Sequence, residues 1–325
     1  MKAIVQDRYG GPETLALADV PRPEPAADEV LVEIAAASVN ARDWHLMRGD
    51  PRIARLDRTH FGRHAPKARI RGTDFAGTVE AVGAEVSDLA AGDEVFGESD
   101  GAFAEYVCAN RSAVAPKPSN LTFAQAAAVP LAGITALCAL APVRPGQRLL
   151  VIGASGGVGT FAVQIGVARG AHVTGVCSTR NVDLVRSLGA DVVIDYTRDP
   201  VVGSFGVVVD LAGTRSLRTL RRLLAADGTL VLCGGGAPNG DRISVLGPIK
   251  LIAAGHILGR LIRQTVEIPT AHPDRAMLAE LTELIESGQV RPAIDRTYAL
   301  TDVPAAIDYM ETAHPQAKLV IDLNI

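Results

Sequence analysis

Nothing in this sequence resembles a metal-binding or disulfide framework. Its four cysteines, Cys108, Cys138, Cys177 and Cys233, are scattered through apolar segments with neither metal-ligand spacing nor disulfide-scaffold density. A reducing cytoplasm is therefore the expected compartment. No apolar run approaches the ~20 residues that a membrane-spanning helix needs. The opening MKAIVQDRYGG lacks the apolar centre of a secretory signal. A net charge of -4 supplies no field that would attract nucleic acid or an acidic membrane surface. Internal repeats, low-complexity stretches and Ser/Gly linkers are also missing. What remains is a globular composition, 48% hydrophobic and 21% charged, in 325 residues, a length comfortable for two domains with sizeable cores.

The most informative stretch present is Arg148–Gly170, RLLVIGASGGVGTFAVQIGVARG. It reads as an apolar strand (Leu149–Ile152), a turn containing Gly153, Gly156, Gly157 and Gly159, and a helix opening near Gly157. Such a turn lets a diphosphate approach the backbone, and the helix start offers free N–H groups and a positive dipole end. A lone glycine motif is weak, but one set between a strand and a helix is informative. The next strand ends at Cys177, followed by Ser178-Thr179-Arg180-Asn181. In an NAD site, a carboxylate about 20 residues beyond the glycines accepts from the adenosine ribose. Here that place holds Ser178, with Arg180 two residues on. A hydroxyl and a guanidinium suit a 2′-phosphate, so NADPH is expected over NADH. The same residues also serve as cap and solvated charge of the following helix.

Two textures run along the chain. Up to about residue 121 the text is β-rich. Lys2–Gln6, Glu29–Ala36, Thr78–Val82 and Gly92–Phe96 read as short strands with glycine punctuation, the pattern of a barrel-like fold. From Thr122 the text turns helical and then alternates. Strand Leu149–Ile152 precedes helix Gly157–Arg169, and strand Val173–Cys177 precedes helix Asn181–Leu188. Val192–Asp195 and Val207–Leu211 are further apolar runs, followed by helix Leu217–Ala226 and strand Thr229–Cys233. Continuous apolar runs fit strands buried on both faces of a parallel, doubly wound sheet. Helix Asp274–Ser287 follows, with Gly288 beyond it. A tail of Ala293–Tyr298, helix Asp302–Thr312 and strand Lys318–Leu323 is expected to rejoin the first domain. Residues 1–121 and 290–325 therefore form one domain, and residues 122–289 a second, cofactor-binding one.

The stretches YGGPETL (Tyr9–Leu15), SVNARD (Ser38–Asp43), GTDFAGTVEAVG (Gly72–Gly83), AGDEVFG (Ala91–Gly97), GASGGVG (Gly153–Gly159) and LGADVVIDY (Leu188–Tyr196) occur in an order that resembles the medium-chain dehydrogenase/reductases. Specifically, they resemble the zinc-independent quinone oxidoreductase branch, over essentially the whole chain. SVNARDWHLMRGDPRIARL and CSTRN are most similar to mitochondrial reticulon-interacting reductases and to bacterial NAD(P)-dependent alcohol dehydrogenase-type proteins. The lack of a transit peptide favours a bacterial-type cytoplasmic member. The resemblance implies an α/β fold, with a GroES-like β-barrel catalytic domain beside a doubly wound parallel-sheet Rossmann domain. It also implies a homodimer formed through the edge strand of the cofactor domain.

In the zinc-dependent branch, the catalytic metal is held by a Cys, a His-Glu pair and a second Cys. Here Asn40 stands near the first position, Thr73-Asp74 replaces the pair, and Leu131 is near the third. The four-cysteine structural lobe is replaced by Gly97–Val107. No metal is expected, since a catalytic zinc needs three protein ligands, although Asp43, His45 and Asp74 could supply an atypical set. His45, His60 and His64 are read as solvated or loop histidines. Without a Lewis acid, alcohol oxidation is hard, whereas hydride addition to a quinone or an α,β-unsaturated carbonyl needs geometry, a hydrogen-bond donor and a proton source. The resemblance assigns Asn40 as that donor, Asp43 to orient its loop, and Thr135 to a place near the nicotinamide. Asn40 could equally be a strand-ending turn residue, and Thr135 a helix hydroxyl bonded to its own backbone. For the cofactor, the resemblance assigns Ser155, Gly156, Gly157 and Val158 to the diphosphate. Ser178, Arg180 and Tyr196 take the adenosine phosphate, and Leu211, Ala212, Gly213, Gly234 and Gly235 the nicotinamide side. An NADPH-binding redox sensor with little turnover, and an alcohol dehydrogenase with an unusual metal set, stand as alternatives.

The segment Arg48–Arg71 carries Arg48, Arg52, Arg55, Arg58, Arg63, Lys67, Arg69 and Arg71 against Asp50 and Asp57. It could recruit an anionic substrate; a solvated surface loop is the preferred expectation.

Overall fold

The computed structural model describes residues 1–56, 61–63, 65–234, 263–313 and 315–325. The chain begins with the antiparallel pair β1 (Lys2–Gln6) and β2 (Leu15–Asp19). Next come β3 (Glu29–Val39), α1 (Ala41–Arg48), β4 (Asp74–Val82), β5 (Glu94–Glu98), β6 (Tyr106–Asn110) and β7 (Val114–Pro116). Helices α2 (Phe123–Ala127) and α3 (Pro130–Ala139) lead into β8 (Arg148–Ile152), α4 (Gly157–Ala168), β9 (His172–Cys177), α5 (Val182–Ser187) and β10 (Val192–Asp195). Then follow β11 (Phe205–Asp210), α6 (Leu217–Arg222), β12 (Leu224–Leu232), β13 (Thr265–Glu267) and α7 (Arg275–Glu286). The tail consists of β14 (Ile294–Ala299), α8 (Val303–Ala313) and β15 (Lys318–Asp322).

β3 is the spine of the first sheet, whose order is β14-β15-β3-β4-β5-β7. Most of its 11 residues are buried, and it pairs along both edges. β4 follows one edge, while β6 takes the first half of the other and β15 the second half. The tail strands thus complete the sheet built by the N-terminal part of the chain. The second sheet is parallel throughout, in the order β10-β9-β8-β11-β12-β13. The chain leaves β8 toward β9 and β10, then crosses back to β11, so the order reverses between β8 and β11. Ligands bind at the carboxyl ends of strands at such a switch point. Its core packs Leu149, Val151, Phe161, Ile165, Val207 and Val231 on one face, and Leu150, Ile152, Phe205, Val208 and Leu230 on the other.

Several expectations change. The long helical reading after Thr122 is two helices, because Pro130 sits at the start of α3, where its missing N–H costs nothing. The helix expected to run to Ala226 ends at Arg222. Leu224 already pairs with Phe205, and the ladder shifts register before Val207 meets Thr229. The segment 225–228 is therefore an irregularity in a strand, and tertiary pairing overrides the helix preference of its leucines and alanines. The stretch after Asn40 is a helix rather than a loop, with Asp43 at its third position accepting the Asn40 backbone N–H at 2.8 Å.

Gly159 is required by the closeness of α4 to the turn beneath it. A Cβ there would lie 2.1 Å from the Gly153 carbonyl oxygen. Gly159→Ala is expected to lower the unfolding free energy by about 1–3 kcal/mol, measured by urea denaturation. An unchanged midpoint would show that the turn yields freely.

Candidate functional site: a cleft between the two sheets

A cavity of about 760 Å³ runs along the carboxyl ends of the parallel strands and is closed on the far side by α1, α3 and the tail. That volume is of the order of a cofactor-plus-substrate cleft. The switch-point strands β8 and β11 end at it through Ile152 and Leu211. Its glycine wall is made by Ser155, Gly156, Gly157 and Val158, which all line it. α4 starts there with no side-chain cap among the described residues, so its first-turn N–H groups are placed to meet an anion. A Cβ on Gly156 would meet only the Gly153 oxygen at 3.6 Å, so the turn is open on that side. The Ser155 hydroxyl accepts from Asn181 Nδ2 at 2.7 Å, which leaves its own proton to donate. Asn181 Oδ1 is buried without a hydrogen-bond partner among the described residues and lines the same cavity. An orphaned buried acceptor needs a donor, and a ribose hydroxyl would be one. These features fit a dinucleotide.

Ser178, Arg180 and Tyr196 line the other end. The nearby carboxylate, Asp195, accepts from the Thr179 hydroxyl at 2.6 Å and from Thr197. Those bonds, led by Thr179's, hold its pKa below the usual carboxylate range. Its charge is thus already engaged, and Arg180 Nη2 donates to the Ala313 carbonyl at 2.8 Å.

Leu211 and Ala212 line the cavity, whereas Gly213 and Gly234 are not among the residues that line it. The Ala212 and Gly213 N–H groups both donate to Asp210 Oδ1 at 3.1 Å, and Gly234 N–H donates to the Asp210 carbonyl. A Cβ on Gly234 would come within 2.5 Å of Gly213 N, so these glycines let two loops touch. Gly235 lies outside the described residues, as do Asp57, Arg58, His60 and His64.

Asn40 and Thr135 line the acceptor end, and Asp43 does not. Asp43 is buried beneath α1, where its Oδ1 accepts from the Thr73 hydroxyl at 3.0 Å. Burial pushes its pKa up to about 6. The Asn40 amide is oriented by its neighbours. Lys318 Nζ can only donate, so Asn40 Oδ1 must face it, and Nδ2 then donates to Asp74 Oδ2 at 2.9 Å. Asn40's donor capacity is thereby largely committed inside the protein, which weakens its expected role as the donor to substrate. His45 was expected to be solvated, but it belongs to α1 and lines the cavity, with Nδ1 against the Asp50 carbonyl at 3.0 Å. Burial lowers its pKa by disfavouring the charged ring. Cys233 also lines the cavity, and burial pushes its thiol up to about 12, away from nucleophilic use.

Sequence reading missed the tail. Met310, Ala313, Pro315, Ala317 and Lys318 all line the cleft. The available signal was a lysine opening an otherwise apolar strand, one of five lysines in the chain.

The basic segment is not a simple solvated loop. Arg48 is nearly buried and paired with Glu311, to which its Nη2 donates at 2.9 Å. Arg55 stacks over Tyr9 at 4.3 Å and donates to the Gly49 and Arg48 carbonyls. Arg71 is 3% exposed. Arg48 and Arg55 thus hold α1 to its surroundings, and Arg71 donates to the Ala68 carbonyl at 3.2 Å. Among the described residues, no helix is long and apolar enough to cross a membrane, and no group of three or more His, Cys, Asp or Glu is placed to hold a metal.

A switch-point cleft in a parallel sheet, closed by a barrel-like sheet, defines the class of two-domain dehydrogenases and reductases. Residues 26–119 match the alcohol dehydrogenase GroES-like domain, and residues 188–321 match the zinc-binding dehydrogenase domain. The mouse mitochondrial NAD(P)H oxidoreductase RTN4IP1 is 32% identical, covering 99% of this chain and 89% of its own. The Arabidopsis thaliana chloroplastic NADPH-dependent alkenal/one oxidoreductase is 31% identical, covering 99% and 79%. The Escherichia coli quinone oxidoreductase, solved in complex with NADPH, superposes with a TM-score of 0.82 at 26% identity, covering 99% of this chain and 100% of its own. The chain belongs to the medium-chain dehydrogenase/reductase family.

Glu98 supplies a pH test of the buried polar layer under the cleft. It lies opposite Asp74 in the β4–β5 register and is 5% exposed. Burial first, and then the Asp74 charge, push its pKa up to about 8. A folded pKa above the unfolded one means that Glu98's contribution to stability is complete below the usual carboxylate range and is lost as pH rises through about 8. Glu98→Gln cannot ionise, so its Tm relative to wild type should climb between about pH 5 and about pH 9. A constant offset over that range would show that Glu98 ionises normally.

Proposed function

We propose that this protein is an NADPH-dependent oxidoreductase that passes a hydride to a quinone or an α,β-unsaturated carbonyl without a metal ion. The observation that carries the reading is the pairing of an uncapped glycine turn with Ser178 and Arg180 at one end of a single cleft, and Asn40, Thr135 and Lys318 at the other. RTN4IP1, the plant alkenal/one reductase and the bacterial quinone oxidoreductase support the NAD(P)H requirement and the acceptor class. Bound NADPH supplies the reducing hydride. The protein's own residues anchor the diphosphate at the α4 N-terminus, grip the 2′-phosphate through Ser178 and Arg180, and hold the acceptor against Thr135 and α1. In this reading residues 1–121 and 290–325 form the acceptor-side domain and 122–289 the cofactor domain. β14 and β15 lie in the first sheet, in keeping with that division. The edge strand β13 is where a second copy would join to form a cytoplasmic homodimer.

An alcohol dehydrogenase with Asp43, His45 and Asp74 as ligands is not favoured. The Asp43 carboxylate is taken by Asn40 N–H and Thr73, and the Asp74 carboxylate by Ser38, Asn40 and the Leu131 N–H. A sensor with little turnover is the other reading, and activity separates it.

NADPH oxidation with 1,4-benzoquinone, 9,10-phenanthrenequinone and short enones is expected to exceed NADH oxidation and to survive EDTA. Loss of turnover on chelation would restore the metal reading, and NADPH binding with no turnover would favour the sensor. Arg180→Ala should raise KM for NADPH about tenfold or more, the value of one charge-assisted bond, and leave KM for NADH unchanged. Equal effects on both coenzymes would remove Arg180 from 2′-phosphate recognition.

A further inference from the structure

We propose that Lys318 is the electrophile of the reaction: its ammonium donates the hydrogen bond that stabilises the oxyanion formed on the acceptor. The inference rests on the reductase reading above and names the group that reading lacks.

Lys318 is an unusual residue to bury. Its side chain is 3% exposed, and Asp74, its ionic partner, is 0% exposed. The contact is long, with Nζ 3.4 Å from Asp74 Oδ2. That carboxylate is already served by Ser38 Oγ at 3.0 Å, Asn40 Nδ2 at 2.9 Å and the Leu131 N–H at 3.2 Å. Asp74 therefore does not need the lysine to satisfy its oxygens. A buried ion pair of this kind adds little stability over an apolar replacement, so its presence calls for another reason. Lys318 directs one N–H to Asn40 Oδ1 and one to Asp74, and among the described residues the third has no partner. Both Lys318 and Asn40 line the cleft.

Asn40, Asp74 and the Leu131 N–H converge on one another through hydrogen bonds, and a lysine ammonium is placed among them. The lysine stem reaches this point by crossing Gly157, where a Cβ would lie 3.0 Å from Lys318 Cδ. A fixed positive charge thus sits in the cleft wall beside Asn40 and Asp74. Electrostatic stabilisation matters most where charge develops in a water-poor site.

The chemistry balances without a further reagent. For an enone, the hydride from NADPH forms a C–H bond at the β-carbon. The C=C pair moves to the bond between the α- and carbonyl carbons, and the C=O pair moves onto oxygen. That oxygen takes the hydrogen bond from Lys318, and a water proton then adds at the α-carbon. For a quinone, the oxyanion of the hydroquinone takes the bond and water supplies its proton. NADPH is oxidised and the acceptor is reduced by two electrons.

The test compares Lys318→Met and Lys318→Arg with wild type, on whichever acceptor wild type reduces. Lys318→Met should lower kcat about 10²–10³-fold, as loss of one oxyanion donor does, with the Kd for NADPH, read from its fluorescence, unchanged. Lys318→Arg should recover part of the loss. A readout without turnover is the binding of p-nitrophenol to the NADP⁺ complex. Wild type should bind the phenolate form, seen by its absorbance, and Lys318→Met should not. If Lys318→Met fails to fold around an unpaired Asp74, the double variant Asp74→Asn/Lys318→Met compared with Asp74→Asn gives the same comparison. A Lys318→Met enzyme with normal kcat and weakened NADPH binding would overturn the proposal by making the ammonium a diphosphate anchor. So would equal phenolate binding by wild type and variant, or none by wild type. Should wild type reduce no acceptor, the reductase reading fails by itself, while phenolate and NADPH binding still decide the role of Lys318.

Discussion

The cleft depends on one junction, where the start of the last strand is pinned to the glycine turn in the middle of the chain. Ala317 N–H donates to the Ser155 carbonyl at 2.7 Å, and Ala317 bridges to Gly156. Ala317 adopts a φ of 54°, a left-handed conformation that a non-glycine residue holds at some cost. That conformation persists because both sides over-determine it, β15 fixed by β3 and β14 and the turn fixed by β8 and α4. The junction brings a strand of the first sheet to the phosphate-binding end of the second. Every tail residue in the cleft is there as a consequence.

The layer beneath the cleft is charged, and it is held by distributing protons as well as by pairing charges. Asp74 and Lys318 are ionic partners, while Glu98 across the β4–β5 ladder carries a proton at neutral pH because burial and Asp74 both oppose its ionisation. Asp43 is stabilised as an anion by the Asn40 N–H, by Thr73 and by the nearby Arg71 guanidinium, against a larger opposing effect of burial. The hydrogen bonds within this layer, from Lys318 to Asn40 Oδ1 and from Asn40 Nδ2 to Asp74, fix the position of Asn40 more tightly than a turn would. The Arg48–Glu311 pair, with Trp44 Nε1 also donating to Glu311, does the same for α1 by binding it to α8.

What could be read in the sequence was local. The glycine turn, its flanking strand and helix, and the apolar runs of the parallel sheet are each written within a few tens of residues, and they place the diphosphate end of the site. Ser178, Arg180 and Tyr196 were reachable because they follow strand ends in register with that turn. The acceptor end was not reachable in the same way, since its contacts join residues 244 and 278 positions apart. No spacing rule connects Lys318 to Asn40. The orientation of the Asn40 amide was hidden too, because an amide can donate or accept, and only a partner that cannot accept shows which end faces where. The packing role of Gly213 and Gly234 was hidden for a related reason. A glycine that frees space for a ligand and one that frees space for a neighbouring loop look alike in sequence, and only the 2.5 Å approach distinguishes them.

Gly157 links the two ends of the site. In a dinucleotide-binding turn its lack of a side chain is usually ascribed to the approach of the phosphates. Here the atom that a Cβ would meet first is Lys318 Cδ, at 3.0 Å. The same glycine therefore serves the α4 N-terminus and the passage of the lysine stem toward Asn40. The ammonium is in turn held by Asn40 Oδ1 and Asp74, so a single side chain runs from the glycine turn to the first sheet.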